Sequence, residues 1–200
     1  MFTGIIEAVG QVRHLEQREG GVRLVIGSGS LPLDDVKIGD SIAVDGCCLT
    51  VIAVAPDAFH VDVSDVTMSA TAGFAHGAAV NLEKALRLSD RIGGHLVTGH
   101  IDGRGEVSRM QALGENTLLE VRVPVELSKY IARKGSVTVN GVSLTVNEVE
   151  RDSFRANLIP HTLQATNLRH LRAGRAVNIE IDLLARYVER LASASDGDGK

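Results

Sequence analysis

The sequence predicts an all-β chain in which one small six-stranded fold is written twice and followed by a single amphipathic helix. Three observations carry that expectation. The first is an internal repeat. Thr3-Gly4 recurs as Thr98-Gly99, 95 residues further on, and the same offset carries Gly46-Cys47-Cys48-Leu49-Thr50-Val51 onto Gly141-Val142-Ser143-Leu144-Thr145-Val146. Phe59 and Phe154, and Asp62 and Asn157, keep that offset, while Ala79-Val80-Asn81-Leu82-Glu83 returns as Ala176-Val177-Asn178-Ile179-Glu180, slipped by two residues. The second is a succession of short, β-branched runs separated by turn residues. The third is a change of hydrophobic period after Asp182.

In the first copy, runs 10–16 and 21–26 flank Glu19-Gly20-Gly21 and read as a hairpin. Runs 41–44, 49–55, 59–63 and 79–84 follow, punctuated by Gly39-Asp40, Asp45-Gly46 and Pro56-Asp57. The second copy repeats the series at 106–111, 117–123, 136–139, 143–149, 154–158 and 177–181. Between its second and third strands, 124–133 reads as a helix with Pro124 in the first turn. Six short strands with turns about every 8–12 residues specify a small closed barrel or a sandwich. Alternation alone does not separate the two. After Asp182, a candidate cap, Leu184, Val188 and Leu191 fall on one helical face, and the small, charged tail 193–200 is expected to fray. The expected domains are 1–90 and 94–182, with 183–200 as an oligomerisation helix and tail.

Composition narrows the function. Of 200 residues 44% are hydrophobic, yet only 3% are aromatic and none is Trp, so the cores must be aliphatic. A net charge of −4 gives no electrostatic reason to bind nucleic acid or an acidic membrane. A barrel for single-stranded nucleic acid would want a basic groove and stacking aromatics, and neither is present. No apolar run approaches the roughly 20 residues that span a bilayer. The N-terminus does not read as a secretory leader, so a cytoplasmic protein is expected. Two adjacent cysteines make neither a disulfide framework nor a zinc site.

The polar residues that stand out lie in the stretch Gly93-Gly94-His95-Leu96-Val97-Thr98-Gly99-His100-Ile101-Asp102-Gly103, which opens the second copy. The spacing of His95 and His100 is not a zinc pattern, and no metal is expected. Either histidine alone reads first as structural. His100 gains weight because glycines at 99 and 103 let backbone approach a ligand. Cys47 reads as a small buried hydrophobe, and Thr50 and Thr145 as ordinary strand residues. The differences between copies are more informative: Ile5 against His100, Cys48 against Ser143, Val66 against His161. Matched pockets with unlike equipment suit a reaction in which two like molecules play different parts.

At these residues the chain resembles the riboflavin synthase family. The resemblance runs from Met1 to about Tyr187. It rests on Met1-Phe2-Thr3-Gly4-Ile5, Asp45-Gly46-Cys47-Cys48-Leu49-Thr50-Val51, Gly93-Gly94-His95-Leu96-Val97 with Gly99-His100-Ile101-Asp102-Gly103, and Asn140-Gly141-Val142-Ser143-Leu144-Thr145-Val146. Leu158-Ile159-Pro160-His161-Thr162-Leu163 and Val177-Asn178-Ile179-Glu180-Ile181-Asp182 complete it. The resemblance implies two six-stranded antiparallel Greek-key barrels with a C-terminal α-helix, assembled as a homotrimer. It implies dismutation of two 6,7-dimethyl-8-ribityllumazine molecules by four-carbon transfer, giving riboflavin and 5-amino-6-ribitylaminouracil without metal or cofactor.

By the same resemblance, His100, Ser143, Cys48, Ser41 and Asp182 are the candidates for chemistry. The implied substrate contacts of the first copy are Phe2, Thr3, Gly4, Ile5, Ile6, Cys48, Leu49, Thr50, Asp62, Val63, Ser64, Asp65, Val66 and Thr67. Those of the second are Gly99, His100, Ile101, Lys134, Ser143, Leu144, Thr145, Leu158, Ile159, Pro160, His161, Thr162 and Leu163. The chain departs from the family at Val66, where a glutamate is usual. The alternative is a non-catalytic lumazine- or flavin-binding relative of the antenna type. In such proteins the histidine stretch is degraded, whereas His95, His100 and Ser143 are all present here.

Overall fold

The computed structural model describes residues 1–195, which form two closed antiparallel barrels of six strands each. The first comprises β1 (Ala8–Arg18), β2 (Gly21–Gly27), β3 (Ser41–Val44), β4 (Cys47–Ala55), β5 (Ala58–Ser64) and β6 (Ala79–Lys84). The second comprises β7 (Gly103–Leu113), β8 (Asn116–Arg122), β9 (Ser136–Val139), β10 (Val142–Val149), β11 (Ser153–Leu158) and β12 (Ala176–Ile181). Around the first barrel the order is β1-β2-β5-β4-β3-β6, and the second repeats it. The meander β3-β4-β5 with β6 returning beside β3 is a Greek key. Closure through the β1–β6 ladder decides for a barrel over a sandwich.

Alternation sorts each strand. On β4, Cys47, Leu49 and Val51 point into the barrel, while Cys48 and Thr50 point out. On β10, Val142, Leu144 and Val146 point in, and Ser143 and Thr145 point out. Each interior is aliphatic around one fully buried phenylalanine, Phe59 or Phe154. Burying each such side chain stabilises the fold by about 1.5–3 kcal/mol.

Two short helices went unpredicted: α1 (Asp65–Ala70), which follows β5 and is capped by the Ser64 hydroxyl, and α3 (Pro160–Ala165), which follows β11. A 3-10 turn, Asn167–His170, follows α3. The expected helix 124–133 is a correction. Only α2 (Val125–Ser128) forms, because the hydrogen bonds tighten beyond it, Tyr130 N–H donating to Leu127 and Ile131 N–H to Ser128. Those turns let Leu127 and Ile131 both reach the core. The last helix, α4 (Leu183–Ser195), starts where expected, with the Leu184 N–H donating to Asp182 Oδ1 at 3.0 Å. Of the stretch 193–200 expected to fray, 193–195 still belong to α4 and 196–200 lie outside the described residues.

The barrels meet at their β3–β4 and β9–β10 turns. Asp45-Gly46 and Asn140-Gly141 all have positive φ, the conformation of two-residue hairpins that match strand twist. The turns stack so closely that a Cβ on Gly46 would lie 2.7 Å from the Gly141 nitrogen. Asparagines sew the seam: Asn81 Nδ2 donates to the Asn140 carbonyl at 2.9 Å, and Asn178 Nδ2 to the Asp45 carbonyl at 2.9 Å.

Candidate active site

Each copy carries an entry segment held by a buried glutamate. In the first, Glu83 on β6 accepts from Thr3 N–H at 2.6 Å, Thr3 Oγ1 at 2.8 Å and Gly4 N–H at 3.0 Å. In the second, Glu180 on β12 accepts from Thr98 N–H at 2.7 Å, Thr98 Oγ1 at 2.7 Å and Gly99 N–H at 2.9 Å. Burial pushes both carboxyls above the usual range, and these hydrogen bonds oppose that shift. Neither glutamate was among the expected site residues. The signal was present in the repeated Ala-Val-Asn-Leu-Glu and Ala-Val-Asn-Ile-Glu.

The entry segments are crossed. Gly4, held by the first barrel, accepts at its carbonyl from Ser143 N–H of the second barrel at 2.8 Å. Gly99, held by the second, accepts from Cys48 N–H of the first at 2.8 Å. Both glycines have positive φ, and an added Cβ would lie 2.6 Å from the Cβ of Ser143 or Cys48. Phe2, fully buried, pairs with Val97 to tie the two segments together. His100 therefore sits beside Cys48, and Ile5 beside Ser143. His100 and Ser143, both expected to take part in the chemistry, belong to opposite crossings.

One crossing carries a further group. His95 Nδ1 lies 2.8 Å from Ser143 Oγ, and His95 N–H donates to the Thr3 carbonyl at 3.1 Å. Burial lowers the imidazole pKa, while the Asp182 charge opposes the shift, so the ring is biased to its neutral form. The corresponding Cys48 has no side-chain hydrogen bond to an imidazole among the described residues; His100 lies beside it only through the backbone of Gly99.

The expected contact residues divide by strand face. Ser41, opposite Thr50 in the β3–β4 ladder, shares the outer face of the first barrel with Thr50 and Asp62, and Asp62 is paired with Arg23 at 2.8 Å. Ser64, Asp65, Val66 and Thr67 continue that surface onto α1, where Val66 is 78% exposed. In the second barrel Thr145, Ile159, Pro160 and His161 are exposed, and Thr162 and Leu163 are half-buried on α3. Lys134 is exposed at φ 68, where the first copy has Gly39 at φ 96. Ile6 and Ile101 are half-buried and pack against the opposite barrel's core. Leu49, Val63, Leu144 and Leu158 point into the barrels and present only backbone to the outside. Asp182 caps α4.

A cleft of about 620 Å³ opens beside the first crossing, lined by Thr3, Ile5, Ser41, Glu83 and Gly93 with charged residues beyond. Among the described residues no cluster of side chains could hold a metal ion, and no helix is long and apolar enough to cross a membrane.

Two barrels with matched, crossed entry segments define a tandem ligand-binding protein, and a family model described as the lumazine binding domain matches the chain twice, over residues 3–85 and 98–182. Riboflavin synthase of Photobacterium phosphoreum is 46% identical over 193 residues, 96% of this chain and 88% of that protein. Riboflavin synthase of Bacillus subtilis is 39% identical over 192 residues, 95% of this chain and 89% of that protein. The solved structure of LumP with 6,7-dimethyl-8-(1'-D-ribityl) lumazine superposes with a TM-score of 0.80 at 26% identity, covering 90% of this chain and 99% of LumP. The chain belongs to the riboflavin synthase family of enzymes.

Proposed function

We propose that this enzyme forms riboflavin and 5-amino-6-ribitylaminouracil from two molecules of 6,7-dimethyl-8-ribityllumazine, and that it works as a homotrimer in the cytoplasm. The observation that carries the reading is the pair of crossings with one backbone design and different side chains. His100 and Cys48 equip one, while Ile5, Ser143 and His95 equip the other. One lumazine must lose a proton from its 7-methyl group, and the other must accept the resulting carbon nucleophile. Imidazole titrates near neutrality and suits the proton transfer. Hydroxyl and thiol groups offer donors and acceptors where charge shifts during the reaction. Holding the rings together removes much of the entropic barrier.

The trimer is supported by exposure on α4. Leu184, Tyr187 and Val188 are 67%, 62% and 65% exposed, while the polar side of the helix is tied to its own barrel by Arg186 to Asp102 at 2.7 Å and Lys129 to Glu189 at 2.5 Å. Three such helices about one axis would cover three apolar faces. The outward contact surfaces would then be closed by neighbouring subunits. Two free, adjacent cysteines suit a reducing compartment. Incubation with the lumazine alone tests the reading: riboflavin must appear in a one-to-one ratio with the pyrimidine product. Tight binding without turnover would instead identify an antenna-type protein.

Val66 offers a second test. Its exposure means that Val66→Glu adds a carboxylate in water, not in a core. The substitution is expected to tighten lumazine binding several-fold while changing stability by less than about 0.5 kcal/mol. Fluorescence titration and a thermal melt measure the two quantities. Unaltered affinity would remove position 66 from the site.

A further inference from the structure

The inter-barrel seam is asymmetric at one point. By the repeat, Asp45 corresponds to Asn140 and Asn167 to Ala72. Asp45 Oδ1 accepts from Asn81 N–H at 2.8 Å, just as Asn140 Oδ1 accepts from Asn178 N–H at 2.8 Å. An asparagine thus does this work in the second copy. Asp45 has an additional partner across the seam, because Asn167 Nδ2 donates to the same Oδ1 at 2.8 Å. That amide nitrogen also donates to the Ala79 carbonyl at 3.0 Å, which fixes which end of the amide is nitrogen. Asn167 Oδ1 is then buried with no hydrogen-bond partner among the described residues. Leaving such an acceptor unsatisfied is unfavourable, because it has given up its bonds to water without replacing them.

A protonated carboxyl supplies what is missing. An acid and an amide that already share one N–H···O bond form a ring when the acid gives its proton to the amide oxygen. We propose that Asp45 is a neutral acid paired with Asn167 in this way, and that the pair is a proton-operated pin between the two barrels. Loss of the proton sets a carboxylate oxygen against the amide oxygen and loosens the seam.

The surroundings favour the neutral acid. Burial raises the Asp45 pKa to about 7, opposed by the hydrogen bonds from Asn81 and Asn167. The groups bonded to its carboxyl are both uncharged, the main-chain N–H of Asn81 on β6 and the side-chain amide of Asn167 on the 3-10 turn, while the Asn178 amide on β12 holds the Asp45 main-chain carbonyl. Cys47, two residues on, has a thiol pushed up to about 12 by burial. Against this, Asp45 is half-buried and lines a cleft of about 610 Å³ shared with His170 and Arg175, and positive charge there favours the carboxylate. The folded pKa lies above that of an unfolded aspartate. Stability from the proton is therefore full below about pH 4 and is lost as pH rises through about 7.

Asp45→Asn separates the pin from its proton, since an amide at 45 can still donate to Asn167 Oδ1 at every pH. The full-length wild type and this variant are compared by hydrogen exchange from pH 5 to 9, after correction for intrinsic exchange rates, and by a carboxyl-carbon titration of Asp45. In the wild type, protection of the Asn81 and Asn178 amides is expected to fall about tenfold relative to the variant between pH 6 and 8. The Asp45 carbon should titrate in the same window, and Asn167→Ala should move that titration downward. Equal protection in both proteins across the range, or an Asp45 already ionised at pH 5, would overturn the pin. Should Asn167→Ala not fold, the comparison of the other two proteins decides alone.

Discussion

Replacing Leu184 and Val188 together by glutamate is expected to give folded monomers that bind lumazine but make riboflavin at least about 100-fold more slowly. Both side chains point into solvent in the single subunit, so neither barrel core is touched. In the proposed trimer the substitutions would bring like charges together in an apolar contact, at a cost of several kcal/mol per buried ion. The activity loss follows from losing the neighbour, because juxtaposing two reactants is worth up to about 7–11 kcal/mol of barrier. Sedimentation of the variant gives its mass, and a coupled fluorescence assay its turnover. A variant with monomeric mass and full turnover would show that one chain suffices.

Gly99→Ala is expected to destabilise the protein by about 2–5 kcal/mol and to remove most activity. Two separable costs add. At φ +79 an L-residue pays about 1–2 kcal/mol for the left-handed conformation. The new Cβ would also lie 2.6 Å from Cys48 Cβ, and overpacking of that kind costs about 1–3 kcal/mol. Gly20→Ala is the control, having φ +78 and nothing within 4 Å of an added Cβ. Thermal melts of both variants isolate the contact. Equal losses of stability would mean that the β4 strand yields and that the crossing is soft.

The barrels were legible because the pattern that makes strands is local. Short β-branched runs, paired glycines and an offset of 95 residues place all twelve strands to within a few positions. The Asp45-Gly46 turn was legible for the same reason. Helices α1 and α3 were not, because six residues with no buried side chain leave no hydrophobic period to read. Glu83 and Glu180 looked like ordinary strand carboxylates, and only the backbone amides of distant residues show what they hold. Strand alternation already distinguished Cys48 and Thr50 from Leu49, a distinction that the motif as a block conceals. The exchange of partners between copies was beyond the sequence altogether, since the 95-residue offset aligns each segment with its own copy.

That exchange bears on the order in which the chain is completed as it is made. Phe2 finds its partner at Val97, and Gly4 finds Ser143 only after most of the second barrel has been synthesised. Domains generally fold as they emerge, the N-terminal one first. Here the first barrel can close early, with Glu83 already holding Thr3 and Gly4, yet the contacts of Phe2 with Val97 and of Gly4 with Ser143 wait for the second copy. The earliest-made residues thus gain some of their last partners only late, and an interrupted chain would carry a closed barrel whose entry segment is anchored at Glu83 but lacks the second copy's side of the site.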